Sequence, residues 1–575
     1  MNKRLAEIEA KRKSLYKKLE EIGDFRRGTI SVNYRKCGKK NCACAKPGHP
    51  GHGPQYLWST TIKGKSYARN LRLGPELKKY MEETENYRHF LKLYDELVLL
   101  NEKICDLRPA SEIKDKADAE ELKKKFADAL QQEIQKETDR IVALSFKDRD
   151  RHGHIDLEAL EFHVRSSMHH IGSIMLEKIL NTDKGDYRGS TILYKKGRNF
   201  EFKEYRDKKL VTVLGPVTVK RAYYFDRTRK KGYCPKDIVL DIVGTSFSPG
   251  VRRIMGRVGA YRPFALGHED IREMAGICVD AKEIERTSNQ LGADIVEFYR
   301  KESSPFLSGK AVPISRQVGI PKMYVCVDGT GIPVVKAETE GRKGKNGPAK
   351  TREVKLGCVF TQTGLDKKGY AVRDESSTSY VGAIETAEIF GKRIYAEAMS
   401  RGLENAQKQV IIGDGAPWIW NIADEQFYGA IQIIDLYHAR EHYWNVARAV
   451  FGCDKEAIKT WTDDRRSELN QGKVEQVIGA IKDMLSCTEN EKELLGKEIG
   501  YFEKNKERMR YNQFRKQGLF VGSGVIEAGC RAVVGQRLKQ SGMHWTVRGA
   551  NNIIALRCCI LSNRWEDFWE DRACG

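Results

Sequence analysis

The stretch PKMYVCVDGTGIPVVK, residues 321–336, decides how the rest of the chain is read. Residues 324–327 are apolar and β-branched or aromatic, as an interior strand requires, and Gly329 and Gly331 follow as the opening of a turn. On that reading a rigid strand ends in one carboxylate, Asp328, whose small neighbours let a hard cation and a phosphate approach. An isolated Asp-Gly is just as readily a surface turn. What else the chain places beside it settles the choice.

Downstream, strands are expected at 323–328, 353–361 and 369–374, with the loop GRKGKNGPAKTR before the second. A helix from about 381 to 402 leads to strand 409–414, helix 417–426 and strand 430–435. Three hairpin-linked strands followed by α-β-α-β is the chain order of an RNase H-like mixed sheet within a multidomain α/β protein. Asp414, in QVIIGDGAPW, repeats the strand-Asp-Gly design of Asp328. In such a sheet the first and fourth strands are neighbours, so the two carboxylates share one end. They repel unless cations lie between them, and two Mg²⁺ about 3.5–4 Å apart are the usual arrangement for in-line phosphoryl transfer. In IQIIDLYHAREHYW, Asp435 ends the fifth strand and His438 follows three residues on. His438, Glu441 and His442 also spell an inverted zinc-protease motif, a reading that leaves Asp328 and Asp414 without a role.

The order Asp328, Asp414, Asp435-x-x-His438, a long helical stretch and then a Glu resembles the DDE transposases of the Mutator-like superfamily. GSGVIEAGCRAVVGQRLKQSGMHW followed by GANNIIALRCCILSNRW is similar to the carboxy-terminal signature of ISKra-type bacterial insertion-sequence transposases. The resemblance covers most of 200–575 and is specific at GDGAPWIW, DLYHAREH and SGVIEAGCR through SGMHW. It implies Glu527 as third acid, two Mg²⁺ or Mn²⁺ held by Asp328, Asp414 and Glu527 with Asp328 bridging, and His438 orienting Asp435 or the scissile phosphate. It also implies cleavage of DNA at element ends, strand transfer into target DNA, and a homodimer or larger assembly on terminal inverted repeats. Residues 440–515 match the family's helical insertion, and Arg531, Arg537, Lys539 and Arg548 would track the DNA backbone. A nuclease without strand transfer, or a catalytically silent DNA-binding regulator, is the alternative. Relatives often carry Cys-x-x-Cys after the Tyr-Tyr of their β hairpin, where this chain has Asp226 and Arg229.

The flanking segments fit a polyanionic partner. Lys plus Arg number 101 against 79 Asp plus Glu, a net charge of +22 over 575 residues, which suits nucleic acid through counterion release. No apolar run reaches spanning length, and MNKRLAEIEAKRK is a charged helix rather than a signal peptide. The expectation is a cytoplasmic, prokaryotic protein associated with the nucleoid when bound, with its 14 cysteines reduced.

Leu5, Ile8, Leu15, Leu19 and Ile22, with Arg12 interrupting, and a second stripe from Leu77 to Ile104 through Asn101 predict two pairing helices. Between them a small β module carries Cys37, Cys42 and Cys44, with His49 or His52 to complete a tetrahedral zinc site. Arg26, Arg27, Arg35, Lys36, Lys39 and Lys40 surround it as DNA contacts, as Lys220, Arg221, Lys343 and Lys345 do elsewhere. The expected division is a helical hairpin with Cys/His module (1–108), linker and helices (109–185), a β-rich basic region (186–245) and a helical DNA-binding region (246–318). The first part of the catalytic core (319–438), a helical insertion (439–516) and the Glu-bearing carboxy-terminal helices (517–575) complete the chain.

Overall fold

The computed structural model describes residues 3–38, 41–46, 48–62, 65–107, 123–124, 127–128, 130–143, 156–182, 185–194, 198–308, 319–344, 347–484 and 488–574. Lys39, Lys40, Lys345 and most of the expected linker lie outside them. The chain forms two compact units, Met1–Asp128 and Ala129–Gly575. Among the described residues no helix is long and apolar enough to cross a membrane.

In the first unit, helices Lys3–Glu20 and Pro75–Leu107 pair as their apolar stripes require, and the two polar interruptions meet: Arg12 Nη1 donates to Asn101 Oδ1 at 3.1 Å. Strands Thr29–Arg35, His52–Ile62 and Lys65–Leu71 form an antiparallel sheet whose small core joins Leu71, Leu77 and Tyr80.

The second unit begins with an antiparallel sheet, Thr191–Tyr194, Arg198–Thr212, Gly215–Asp226 and Lys231–Tyr233, against which helix Leu157–Leu180 packs. The hairpin turns at Val213-Leu214, with Thr212 opposite Gly215. Helices Pro249–Tyr261, Phe264–Ala275 and Ala281–Leu307 follow. The last of these packs against helix Val547–Leu561 so closely that a Cβ on Gly292 would lie 2.2 Å from Asn552 O.

The main sheet contains β1 Ile320–Pro333, β2 Thr351–Gln362, β3 Ser379–Ala383, β4 Ala406–Gly413 and β5 Ile431–Ile434 in the order β3-β2-β1-β4-β5. β1, β2 and β3 are joined antiparallel; β4 and β5 run parallel to β1, each reached through a helix, α1 Ala387–Ser400 and α2 Pro417–Gln426. The centre is apolar on both faces, as a sheet covered by helices must be: Met323, Tyr324, Cys326, Val354, Leu356, Val410 and Ile412 are all fully buried.

Two expectations are corrected here. The third strand is 379–383, not 369–374; residues 371–372 pair instead with 364–365 in a separate short hairpin. Burial explains the choice, because Val381 and Ala383 enter the core while Val372 is 45 % exposed. Helix α1 correspondingly starts at Ala387, capped by the Thr386 hydroxyl. Strand β1 also runs through Asp328 to Pro333 instead of turning, because β2 continues pairing with it, Gly329 opposite Lys355 and Gly331 opposite Glu353.

After β5 come α3 Leu436–Phe451 and the all-helical insertion Lys455–Asn470, Val474–Lys482, Glu489–Asn505 and Tyr511–Lys516. Phe520 then packs edge-on against the stacked rings of Tyr324 and Phe360, and its amide donates to Tyr324 Oη at 3.3 Å. That contact returns the chain to the sheet before α4 Gly524–Gly529, the π-helical turn Cys530–Gly535, and helices Val547–Leu561 and Trp565–Cys574.

Candidate active site at the open end of the sheet

β1 and β4 are paired from Ile320 opposite Ala406 to Cys326 opposite Ile412. Asp328 and Asp414 each lie two residues beyond that last pair. In parallel strands this puts them at the same level and on the same face, where the strands part after running about 4.8 Å from each other. Burial pushes the Asp328 carboxyl up from its ordinary range, and the charge of Asp414 adds to the push. The Cys530 thiol, the Gly329 amide and His438 act in the opposite direction. Asp328 Oδ1 accepts from Gly329 N at 2.7 Å and Oδ2 from Cys530 Sγ at 3.3 Å. Asp414 Oδ1 accepts from Ala416 N at 2.8 Å, while Tyr501 Oη donates to the Asp414 carbonyl at 3.0 Å. Gly415 adopts φ +104°, and a Cβ there would lie 2.6 Å from the Tyr501 ring, so both conformation and space demand glycine.

Asp435 is fully buried and works as a fastener. Its Oδ1 caps α3 by accepting from His438 N at 2.7 Å, and its Oδ2 accepts from Ser523 N. One carboxylate thereby ties the helix carrying His438 to the segment that leads into α4. Glu527 sits on α4, which packs on β1 and β2 with Gly529 against Tyr380 and Leu356. Its exposed carboxylate accepts from Ser523 Oγ at 3.3 Å and lines an open recess of about 310 Å³ with Arg531 and Gln536. Cys530, three residues on, touches Asp328, so α4 brings Glu527 to the Asp328 end of the sheet one turn away, about 5–6 Å between Cβ atoms at that spacing.

The other candidates separate by burial. Arg531, Lys539, Arg548, Lys343, Lys220, Arg27, Arg35 and Lys36 are exposed. Lys539 Nζ donates to Thr330 Oγ1 at 2.5 Å, which sets a cation two residues along β1 from Asp328. Arg537 is corrected: it is fully buried and donates to Gly259 O, so it does not track a DNA backbone from the surface. Arg221 is paired with Asp237, and Arg26 with Glu83 beside the Tyr80 ring, so both serve packing first. The His-x-x-Glu-His reading fails on geometry: His442 Nδ1 is held by the buried Glu498 and its ring stacks on Tyr501, while the Glu441 side chain is 72 % exposed. Cys530, Tyr501, Ser523 and Glu498 were not singled out from sequence. Each contacts a group 56 or more positions away in the chain, which hid them, although Cys530 falls inside the quoted signature.

In the first unit, Cys37, Cys42, Cys44 and His52 bring their ligand atoms within 4.8 Å of one another. Cys37 Sγ lies 3.5 Å from Cys44 Sγ, and Cys42 Sγ 2.9 Å from His52 Nε2. Sulfurs on a tetrahedral zinc with arms of about 2.3 Å lie about 3.8 Å apart, so this cluster can hold a metal such as zinc. His52 is the fourth member. His49 instead accepts from Gly51 N at 3.0 Å.

The molecule thus combines a four-ligand soft-metal cluster in one unit with two neighbouring carboxylates at the end of a mixed α/β sheet in the other. Residues 5–79 match a domain of unknown function, DUF6788, and residues 151–254 match the uncharacterised protein family UPF0236, which is commonly seen in transposase-like proteins. No curated protein matches the chain.

Proposed function

We propose that the chain is a DNA transposase with an RNase H-like catalytic core, which binds the ends of an insertion sequence, cuts them and joins them to target DNA. The observation that carries this reading is the level placement of Asp328 and Asp414, two residues beyond the last β1–β4 pair, where one charge already raises the other's pKa. Two carboxylates so placed favour a cation between them over mutual repulsion. On this reading Asp328, Asp414 and Glu527 would hold two Mg²⁺ or Mn²⁺ ions, which would supply an activated attacking oxygen and charge neutralisation at the phosphate.

The chain's own groups do the positioning. Tyr501 and Gly415 fix the turn that presents Asp414, and Asp435 couples α3 to α4. His438 lies close enough to Asp328 to lower its pKa and on this reading would orient Asp435 or the scissile phosphate. Lys539 beside Thr330 offers a backbone phosphate its first contact. The excess of 22 positive charges favours a polyanion, and on this reading the partner is duplex DNA, both as inverted repeats and as target, bound by a homodimer or larger assembly.

The test uses duplexes carrying the inverted repeats that flank the gene. Asp328→Asn, Asp414→Asn and Glu527→Gln should each lower Mg²⁺-dependent end cleavage about a hundredfold or more while the ends stay bound. Undiminished cleavage in any of the three removes that acid from the site. Cleaved but never joined products identify a nuclease, and binding without cleavage by the wild-type chain identifies a regulator.

A further inference from the structure

Two guanidiniums lie buried in the second unit. Arg537 and Arg557 are 0 % and 1 % exposed, and among the described residues neither has a carboxylate partner. Arg557 donates to the carbonyls of Val533, Ala260 and Ala532. Arg537 donates through Nε to Gly259 O at 2.9 Å and through Nη1 to Met543 Sδ at 3.3 Å, and its Nη2 has no acceptor. Burial, and then Arg557, bring the Arg537 pKa down to about 10. Buried charge is ordinarily paired because its desolvation is costly. A pair of like charges left in this state favours an anion at the nearest opening.

That opening is present. A cleft of about 770 Å³ has Arg537 in its lining, together with Lys282, Arg286 and Arg548, and Glu285 is the one acid among its lining residues. Lys282 and Arg548 are exposed, and no carboxylate engages either among the described residues. Phe264 and Trp545, whose rings stand 4.7 and 5.0 Å from the Arg537 guanidinium, line the same cleft beside Met543. Cations at the mouth and an apolar, aromatic wall inside suit a ligand that joins a phosphate to a flat ring. The volume falls in the range of about 300–1,000 Å³ usual for such ligands.

We propose that this cleft takes one nucleotide of a DNA strand, with its phosphate against Lys282 and Arg548 in the field of Arg537, and its base against Phe264, Met543 and Trp545. The proposal rests on the DNA-binding part of the reading above, but not on catalysis. The segment holding Trp545 lies against the far end of β1: Trp545 N donates to Pro333 O at 3.2 Å and Val335 N to Trp545 O at 3.0 Å. Pro333 is five residues past Asp328, about 17 Å along the strand at about 3.3 Å per residue. That is about five steps of duplex at 3.4 Å each. The cleft would therefore hold a nucleotide a few steps from the reacting phosphate.

The experiment measures anisotropy of labelled single-stranded and duplex oligonucleotides with the full chain in buffer without added Mg²⁺ or Mn²⁺, where no cutting occurs and the cysteine cluster keeps its metal, so the result is independent of whether the acids catalyse. Lys282→Ala/Arg548→Ala should weaken DNA binding about tenfold or more and reduce the salt slope by about 2, while Lys301→Ala, which removes a single charge elsewhere on the helix of Lys282, should leave both nearly unchanged. These are surface positions, so folding is preserved and can be verified by circular dichroism. Equal affinity of the double variant and wild type overturns the proposal. So does a mononucleotide such as dAMP that binds wild type but not the double variant while DNA affinity stays the same, because the site then serves free nucleotides. Competition by inorganic phosphate as effective as by dAMP overturns the base-binding half.

Discussion

At the scale of single residues, the carboxylate of Asp328 is held in the fold at a cost. Its pKa is raised, so the folded state keeps its proton over a window above the ordinary carboxylate range, near 3.9. Native stability therefore falls as pH rises through that window, since ionisation is easier in the unfolded chain. Asp328→Asn should raise Tm at neutral pH relative to wild type, with the gap closing below the ordinary aspartate range. Added Mn²⁺ at about a hundred times its Kd should stabilise wild type by about 2.7 kcal/mol and leave the variant unmoved. Equal Mn²⁺ shifts in both would remove Asp328 from the ion's coordination. The cysteine cluster yields a second residue-scale expectation. Metal analysis of the full chain should find one zinc, lost in His52→Ala and retained in His49→Ala, because only His52 reaches the sulfurs. Retention by His52→Ala would dismiss the fourth ligand.

At the scale of elements, the cleft depends on three pieces of backbone being held together by polar groups in their interior. Asp435 joins α3 to the segment before α4. Replacing it with alanine removes a helix cap, about 1 kcal/mol, and leaves the buried Ser523 amide without an acceptor, about 1–3 kcal/mol more. Asp435→Ala should thus lose about 2–4 kcal/mol in urea unfolding and impair cleavage even though Asp435 lies behind the acids. A loss below about 1 kcal/mol would mean that water replaces both bonds. The insertion has a comparable role. Helix Glu489–Asn505 carries Tyr501 to the Asp414 turn and Glu498 to His442, so it forms one wall of the cleft. Its charged, helical composition was legible in sequence, but its two contacts were not, because each joins residues 56 or more positions apart.

At the scale of the whole molecule, the two units carry different chemistries, a thiol-rich cluster and a carboxylate pair. Chelation should lower the thermal transition of the unit Met1–Asp128 and leave that of Ala129–Gly575 in place, as read by calorimetry with and without a zinc chelator. A single transition shifted as a whole would show that the two unfold together. The charge excess is a property of the entire chain, but its burial is not uniform. Arg537, Arg557, Arg221 and Arg26 look in sequence like the lysines and arginines at the surface, yet they hold carbonyls, acids and rings within the fold. Counting basic residues therefore overstates the contact surface.

The sequence by itself determined the alternation of elements and the approximate level of two acids, because hydrophobic period and the strand-Asp-Gly pattern are local. It also determined the helical hairpin and the three cysteines. Only the tertiary structure decided that β1 passes straight through Asp328, since the length of a strand depends on what its neighbour offers to pair with. Only it chose 379–383 over 369–374, since burial selects between two short candidates of similar composition. His52 over His49, the Cys530 thiol on Asp328 and the burial of Arg537 were decided in the same way. Each is a contact between residues remote in the chain or a matter of which face is covered, and neither is encoded in local spacing.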